Sequence, residues 1–164
     1  NAEAVDALRG AISRQAGYGP ALERMELALA RLARLEEAID FRIAYLRATG
    51  RGERAVLLQE EAGSLGPDAA RRRDLLRDVE QLVAEAGRKD PFEHGQTRTI
   101  ADRLILAYSE LGDWTNAMAW VERSYTNRPG RLRRVLMDLP INRQGLATDP
   151  RYARLLRVAG LEGL

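Results

Sequence analysis

Along the chain, apolar positions return every three or four residues, the interval that keeps side chains on one face of an α-helix. Val, Ile and Thr never gather into the alternating run that a half-buried strand needs. The pattern predicts a first helix from Glu3 to Ala16, closed by the Gly17–Pro20 stretch, whose proline then suits the first turn of the next helix. Leu22, Met25, Leu29, Leu32, Ile39, Ile43 and Leu46 follow a 3-4-3 spacing, with Glu36 the one polar interruption. They read as one long helix from Ala21 to Ala48. Such a stripe fits a coiled-coil seam, through which residues 22–46 would pair two copies of the chain. With fewer than four uninterrupted heptads, it fits better as one helix of an intramolecular bundle, widened by Ala28 and Leu35.

Further on, the pattern predicts helices at Glu53–Ala62 and from Asp68, as cap, to about Ala86. Leu75, Leu76, Val79, Leu82 and Val83 line one face of the latter, and Gly87 stands where it should end. A loop follows, then a helical hairpin of Thr99–Leu111 and Trp114–Asn127, a short helix near Leu132–Leu139 and a last one from Pro150 to Ala159. The expected class is all-α.

Composition agrees. Of 164 residues, 45% are hydrophobic and 30% charged, a soluble rather than a disordered balance. Lys89 is the only lysine, so the other 25 basic residues are arginine, scattered through every helix as a GC-rich genome would scatter them. No apolar run reaches the ~18 residues of a membrane span. Without cysteine, disulfides and thiolate chemistry are ruled out. The net charge of +2 is unevenly placed: residues 128–164 hold eight arginines against Asp138, Asp149 and Glu162.

Catalytic chemistry finds little to stand on. His94, the single histidine, lies in the loop with no second ligand at a useful spacing, and reads as a surface residue. Glu36-Glu37 and Glu60-Glu61 are adjacent on helices and point about 100° apart, so neither pair forms a two-carboxylate site. Gly50-Arg51-Gly52 lacks the preceding strand and the Lys-Ser/Thr ending of a phosphate loop. Arg71–Arg73, interleaved with Asp68, Asp74 and Asp78, reads as an i, i+4 salt-bridge lattice. Trp114 reads as packing at a corner rather than as an interface anchor. No catalytic residue, metal site or cofactor is expected, and the chain reads as a non-enzyme.

Two corners share a register. Gly112, Ala117, Ser124 and Pro129 stand at spacings of five, seven and five, and Gly50, Ala55, Ala62 and Pro67 repeat those spacings 62 residues earlier. Glycine allows the turn between antiparallel helices, a small residue lets their backbones approach, and proline ends the second helix. With these residues the chain resembles the tetratricopeptide repeat, a 34-residue helix-turn-helix unit that stacks into a right-handed superhelix. Residues 98–131 carry the likeness best: Leu104, Tyr108, Gly112, Asp113, Ala117 and Pro129 stand where the family has Leu, Tyr, Gly, Asp, Ala and Pro, and Trp114 takes the place of the aromatic after Gly-Asp. Ile105, Ala101 and Ser124 depart from it. Residues 36–69 form a degenerate second unit, with 1–35 as N-terminal helices, 70–97 as a helix and loop, and 132–164 as a C-terminal cap of one repeat domain.

The resemblance implies a binding groove lined by the first helix of each hairpin, which places Glu37, Asp40, Ala44 and Arg47, then Thr99, Asp102, Leu106 and Ser109, against a protein or peptide. Asp138–Leu161 is similar to the closing segment of repeat arrays in bacterial regulators, where such arrays follow kinase, cyclase or DNA-binding domains. There Asp149-Pro150 starts a capping helix, Tyr152, Leu155 and Leu156 face inward, and Gly160 ends it. With Asn1 rather than Met in front, the expectation is the C-terminal part of a longer cytoplasmic signalling or transcription regulator. A different reading puts nucleic acid or an anionic surface on the basic segment, through Arg128, Arg131, Arg133, Arg134, Arg143, Arg151, Arg154 and Arg157; the lack of interleaved aromatics weighs against it.

Overall fold

In the computed structural model, which describes residues 2–15, 17–93, 98–138 and 149–161, every regular element is helical. The helices are α1 (Ala2–Arg14), α2 (Gly19–Arg31), α3 (Leu35–Ala48), α4 (Gly52–Leu65), α5 (Pro67–Ala86), α6 (Ile100–Glu110), α7 (Trp114–Asn127), α8 (Leu132–Asp138) and α9 (Pro150–Val158), with a 3₁₀ turn at Pro129–Arg131. They form two compact units, Asn1–Asp74 and Leu75–Leu164, and the division falls inside α5 rather than in a linker.

The long helix predicted from Ala21 to Ala48 is two helices. α2 stops at Arg31, Ala33 takes a left-handed conformation (φ 57°), and α3 begins at Leu35 and packs back on α2. Ala, Leu and Arg at the break are all good helix formers, so no local signal stops the chain. Burial decides. Met25 and Leu29 enter a cluster with Val5 and Ala38, whereas Ile39, Ile43 and Leu46 enter another with Ala55, Leu58 and Ala70. Each fully buried Leu, Ile or Met stabilises by about 1.5–3 kcal/mol. That outweighs the roughly 1–2 kcal/mol cost of one left-handed alanine. Apart from Leu32, which is exposed, the apolar stripe is thus buried inside the chain, and residues 22–46 do not form one continuous helical seam.

The break at Ala33 is built like the corners at Gly50 and Gly112. In each, the left-handed residue donates its N–H to the carbonyl three back, and the next residue donates to the carbonyl five back: Arg34 to Leu29 at 3.0 Å, Arg51 to Leu46 at 2.8 Å, Asp113 to Tyr108 at 2.9 Å. This closure satisfies carbonyls that the helix end would leave orphaned. Five residues after the left-handed residue stands an alanine with no exposed surface (Ala38, Ala55 and Ala117), whose N–H makes the first turn of the following helix. Ala33 and Gly50 are 17 residues apart, so α3 ends one such hairpin and opens the next.

Inside unit 1, charge is buried with its partners. Asp74, 1% exposed, accepts from Arg42 Nε at 2.7 Å and from Arg54 Nε. Glu26, 2% exposed, accepts from Arg71 Nε at 2.7 Å. Arg71 therefore reaches across 45 residues to α2, and Arg73 pairs with Glu61 of α4, so both arginines tie α5 to other helices.

Unit 2 has one core, in which Leu75, Val79 and Leu82 of α5 meet Leu104 and Ile105 of α6, Met118 and Val121 of α7, Leu136 of α8, and Tyr152 and Leu155 of α9. Leu76 and Val83, expected on the same buried face of α5, are 45% and 46% exposed. Trp114 packs against this core from the α6–α7 corner. Trp120 is buried beside Phe92, ring centroids 6.5 Å apart, with the Arg123 guanidinium 4.1 Å above its ring. Asp149 caps α9 by accepting the Arg151 N–H, and Gly160 (φ 65°) closes it with the same pair of hydrogen bonds as the inner corners.

Candidate partner-binding cleft

α6 starts from a capping box: the Thr99 hydroxyl accepts the Asp102 N–H at 3.1 Å, and the Asp102 carboxylate accepts the Thr99 N–H at 3.0 Å. This reciprocal pair satisfies two N–H groups that the helix start leaves open. It also fixes the Asp102 carboxylate beside the segment that follows α7, where Arg131 Nη2 approaches to 3.3 Å. Around that ion pair lies a small half-open cleft of about 30 Å³, lined by Arg98, Asp102, Ile105, Leu106, Arg131, Arg134 and Val135. The spacing explains the lining. Residues 98, 102, 105 and 106 fall on one side of α6 and its lead-in, and 131, 134 and 135 on one side of the 3₁₀ turn and α8.

The cleft lining joins the Arg131–Asp102 pair to Arg98, Arg134 and the apolar Ile105, Leu106 and Val135. Arginine stays protonated throughout the physiological range and presents its donors in a planar fork that matches a carboxylate. Among the described residues no second acid or histidine lines the cleft, and no group of three His, Cys, Asp or Glu could hold a metal ion. The arrangement sets guanidinium donors beside an apolar surface.

The residues singled out for a groove divide between the two units. In unit 1, Glu37, Asp40, Ala44 and Arg47 lie along one side of α3; Asp40 and Arg47 are exposed, Glu37 and Ala44 half-buried. Glu37 is held by Arg34 at 2.6 Å, and that hydrogen bond keeps its carboxyl below the usual range against the opposing effect of desolvation. Arg47 donates to Gln59 of α4 at 3.2 Å. In unit 2, Asp102 and Leu106 line the cleft. Thr99 and Ser109 do not. Both are buried, Thr99 by its capping role and Ser109 with its hydroxyl on the Ile105 carbonyl at 2.7 Å, so neither reaches a ligand.

The basic segment is divided as well. Arg131 and Arg134 belong to the cleft, Arg151 is folded onto Asp149 at 2.7 Å, and Arg154 pairs with Glu122 of α7. Arg133 and Arg157 are exposed. Arg128 is half-buried, its Nη1 without a hydrogen-bond partner among the described residues. Arg143 and His94 lie outside the described residues. Sequence reasoning missed Arg98, Ile105 and Val135, although their distances of four, three and four from Asp102, Asp102 and Arg131 respectively are helical neighbours of residues already noted. It also missed Arg42 as the buried partner of Asp74, for which the signal was an arginine beside Ile43 and three residues after Ile39. No helix among the described residues is long and apolar enough to cross a membrane. No family model, curated protein or solved structure matches the chain.

Proposed function

We propose that this chain is a non-catalytic helical-repeat scaffold of the tetratricopeptide kind, serving a bacterial regulatory or signalling protein by binding a protein or peptide segment. The observation that carries the reading is the corner used at Ala33, Gly50 and Gly112, each followed by a fully buried alanine five residues on. Repetition of one hairpin geometry is what a stacked array needs, because each unit must offer its neighbour the same surface. The cleft beside α6 supports the second half of the reading, since it joins fixed charge to an apolar floor.

The nucleic-acid reading of the basic segment is less well supported. Arg131, Arg151 and Arg154 each have a carboxylate partner within the chain, which lowers the charge they offer a phosphate backbone. Site-specific photo-crosslinking in the source cells tests the scaffold reading. A crosslinker at position 40, 47 or 106 should capture a discrete protein, and one at Thr115, exposed at the start of α7, should not. Equal capture at all four positions, or none at any, would refute it.

A further inference from the structure

We infer that the cleft between α6 and α8 is an anchor for an acidic side chain of the partner segment, with the neighbouring apolar side chain of that segment on Leu106 and Val135. This rests on the peptide-binding reading above and names the chemistry of the peptide. Three arginines and one aspartate line the cleft, and the aspartate is engaged by the Thr99 N–H as well as by one nitrogen of Arg131. A guanidinium has five N–H donors, so Arg131 keeps capacity for a second carboxylate. Arg134 stands three residues along the same side and is exposed. Asp102 shows where a carboxylate settles beside Arg131, and the exposed Arg134 guanidinium is the charge that a second one would meet.

The lining chooses between anions. Among the described residues the lining has no aromatic ring on which a base could stack. Its floor is aliphatic, and a phosphodiester backbone has nothing apolar to set there. A glutamate or aspartate beside a leucine or isoleucine supplies both halves, the carboxylate for a forked contact and the alkyl group for the floor.

Fluorescence anisotropy with a labelled peptide alternating glutamate and leucine, set against its glutamine counterpart, tests this on the whole chain. The glutamate peptide should bind more tightly, and less so as salt rises. Arg134→Gln, which removes an exposed side chain and leaves the core alone, should weaken binding about fivefold, whereas Arg133→Gln on the exposed side of α8 should leave it unchanged. Equal binding of the two peptides, or an Arg134→Gln variant that binds like the parent, overturns the acidic anchor. If neither peptide binds while crosslinking at position 106 still captures a protein, the anchor is wrong and the scaffold reading stands. Tighter binding of a labelled oligothymidylate, lost on Arg134→Gln, overturns both in favour of nucleic acid.

Discussion

Arg42 of α3 and Asp74 of α5 are sealed together, their side chains 6% and 1% exposed and the Nε–Oδ2 distance 2.7 Å. With Arg54 on the other carboxylate oxygen, three helices of unit 1 converge on one buried acid. Breaking such a pair from one side costs far more than the pair contributes relative to apolar replacements, because it strands a buried charge. Asp74→Ala is therefore expected to lose about 3–5 kcal/mol of stability in urea unfolding followed by circular dichroism. The double change Arg42→Met with Asp74→Leu should recover part of the loss. A single variant as stable as the parent would show that solvent reaches the pair.

The corners predict opposite signs for the same pair of residues. Gly50→Ala and Gly112→Ala force a side chain into the left-handed region, at φ 75° and 74°, and should each cost about 1–2 kcal/mol. Ala33→Gly relieves the same strain at φ 57° and should raise the thermal midpoint. If Ala33→Gly lowers the midpoint, the chain does not turn there as described.

Close approach at the corners makes the buried alanines sensitive to size. Ala55→Val and Ala117→Leu should each destabilise by about 1–3 kcal/mol through overpacking. Ala48→Val at the exposed end of α3 should cost well under that. Amide hydrogen exchange would place the damage: the helices flanking the altered corner should lose protection first.

Asp149 gives a pH signature. The Arg151 side chain holds its carboxyl below the usual range by hydrogen bonding, outweighing the opposing effect of burial. A group whose folded-state pKa is depressed contributes stability that is present above its unfolded-state value and lost as pH falls through the folded one. The contribution is thus complete at neutral pH and fades on acidification below the ordinary carboxylate range. Asp149→Ala should cost about 1 kcal/mol at neutral pH by removing the cap of α9. Asp149→Asn keeps a capping oxygen but should flatten the acid limb. Tryptophan fluorescence reports on both, because Trp114 and Trp120 lie in the unit that α9 helps to close.

Much of the fold can be read from the residues, for reasons that differ by element. Gly112, Asp113 and Ala117 announce their corner because glycine, capping acid and small residue each have a local role, and the helices around them appear as expected. Ala33 announces nothing: its conformation is imposed by the burial of residues on either side, which a one-dimensional pattern does not record. Thr99 and Ser109 show the limit for the site. Spacing puts them on the same helix as Asp102 and Leu106, but capping and burial, not spacing, decide which side chains stay accessible. Asp102 belongs to the cleft because Arg131 arrives from beyond the next helix, a meeting that only the folded chain brings about.

The most direct test of the binding role is a pull-down from the source organism's lysate, comparing the parent chain with a Leu106→Glu variant at low and high salt. Leu106 is half-buried at the rim of the cleft floor, and a carboxylate there would meet the cleft arginines and block the anchor. The account predicts a discrete protein retained by the parent and lost by the variant, with circular dichroism unchanged between them. Nucleic acid retained by both and released at high salt would contradict it, and would make the basic segment the site.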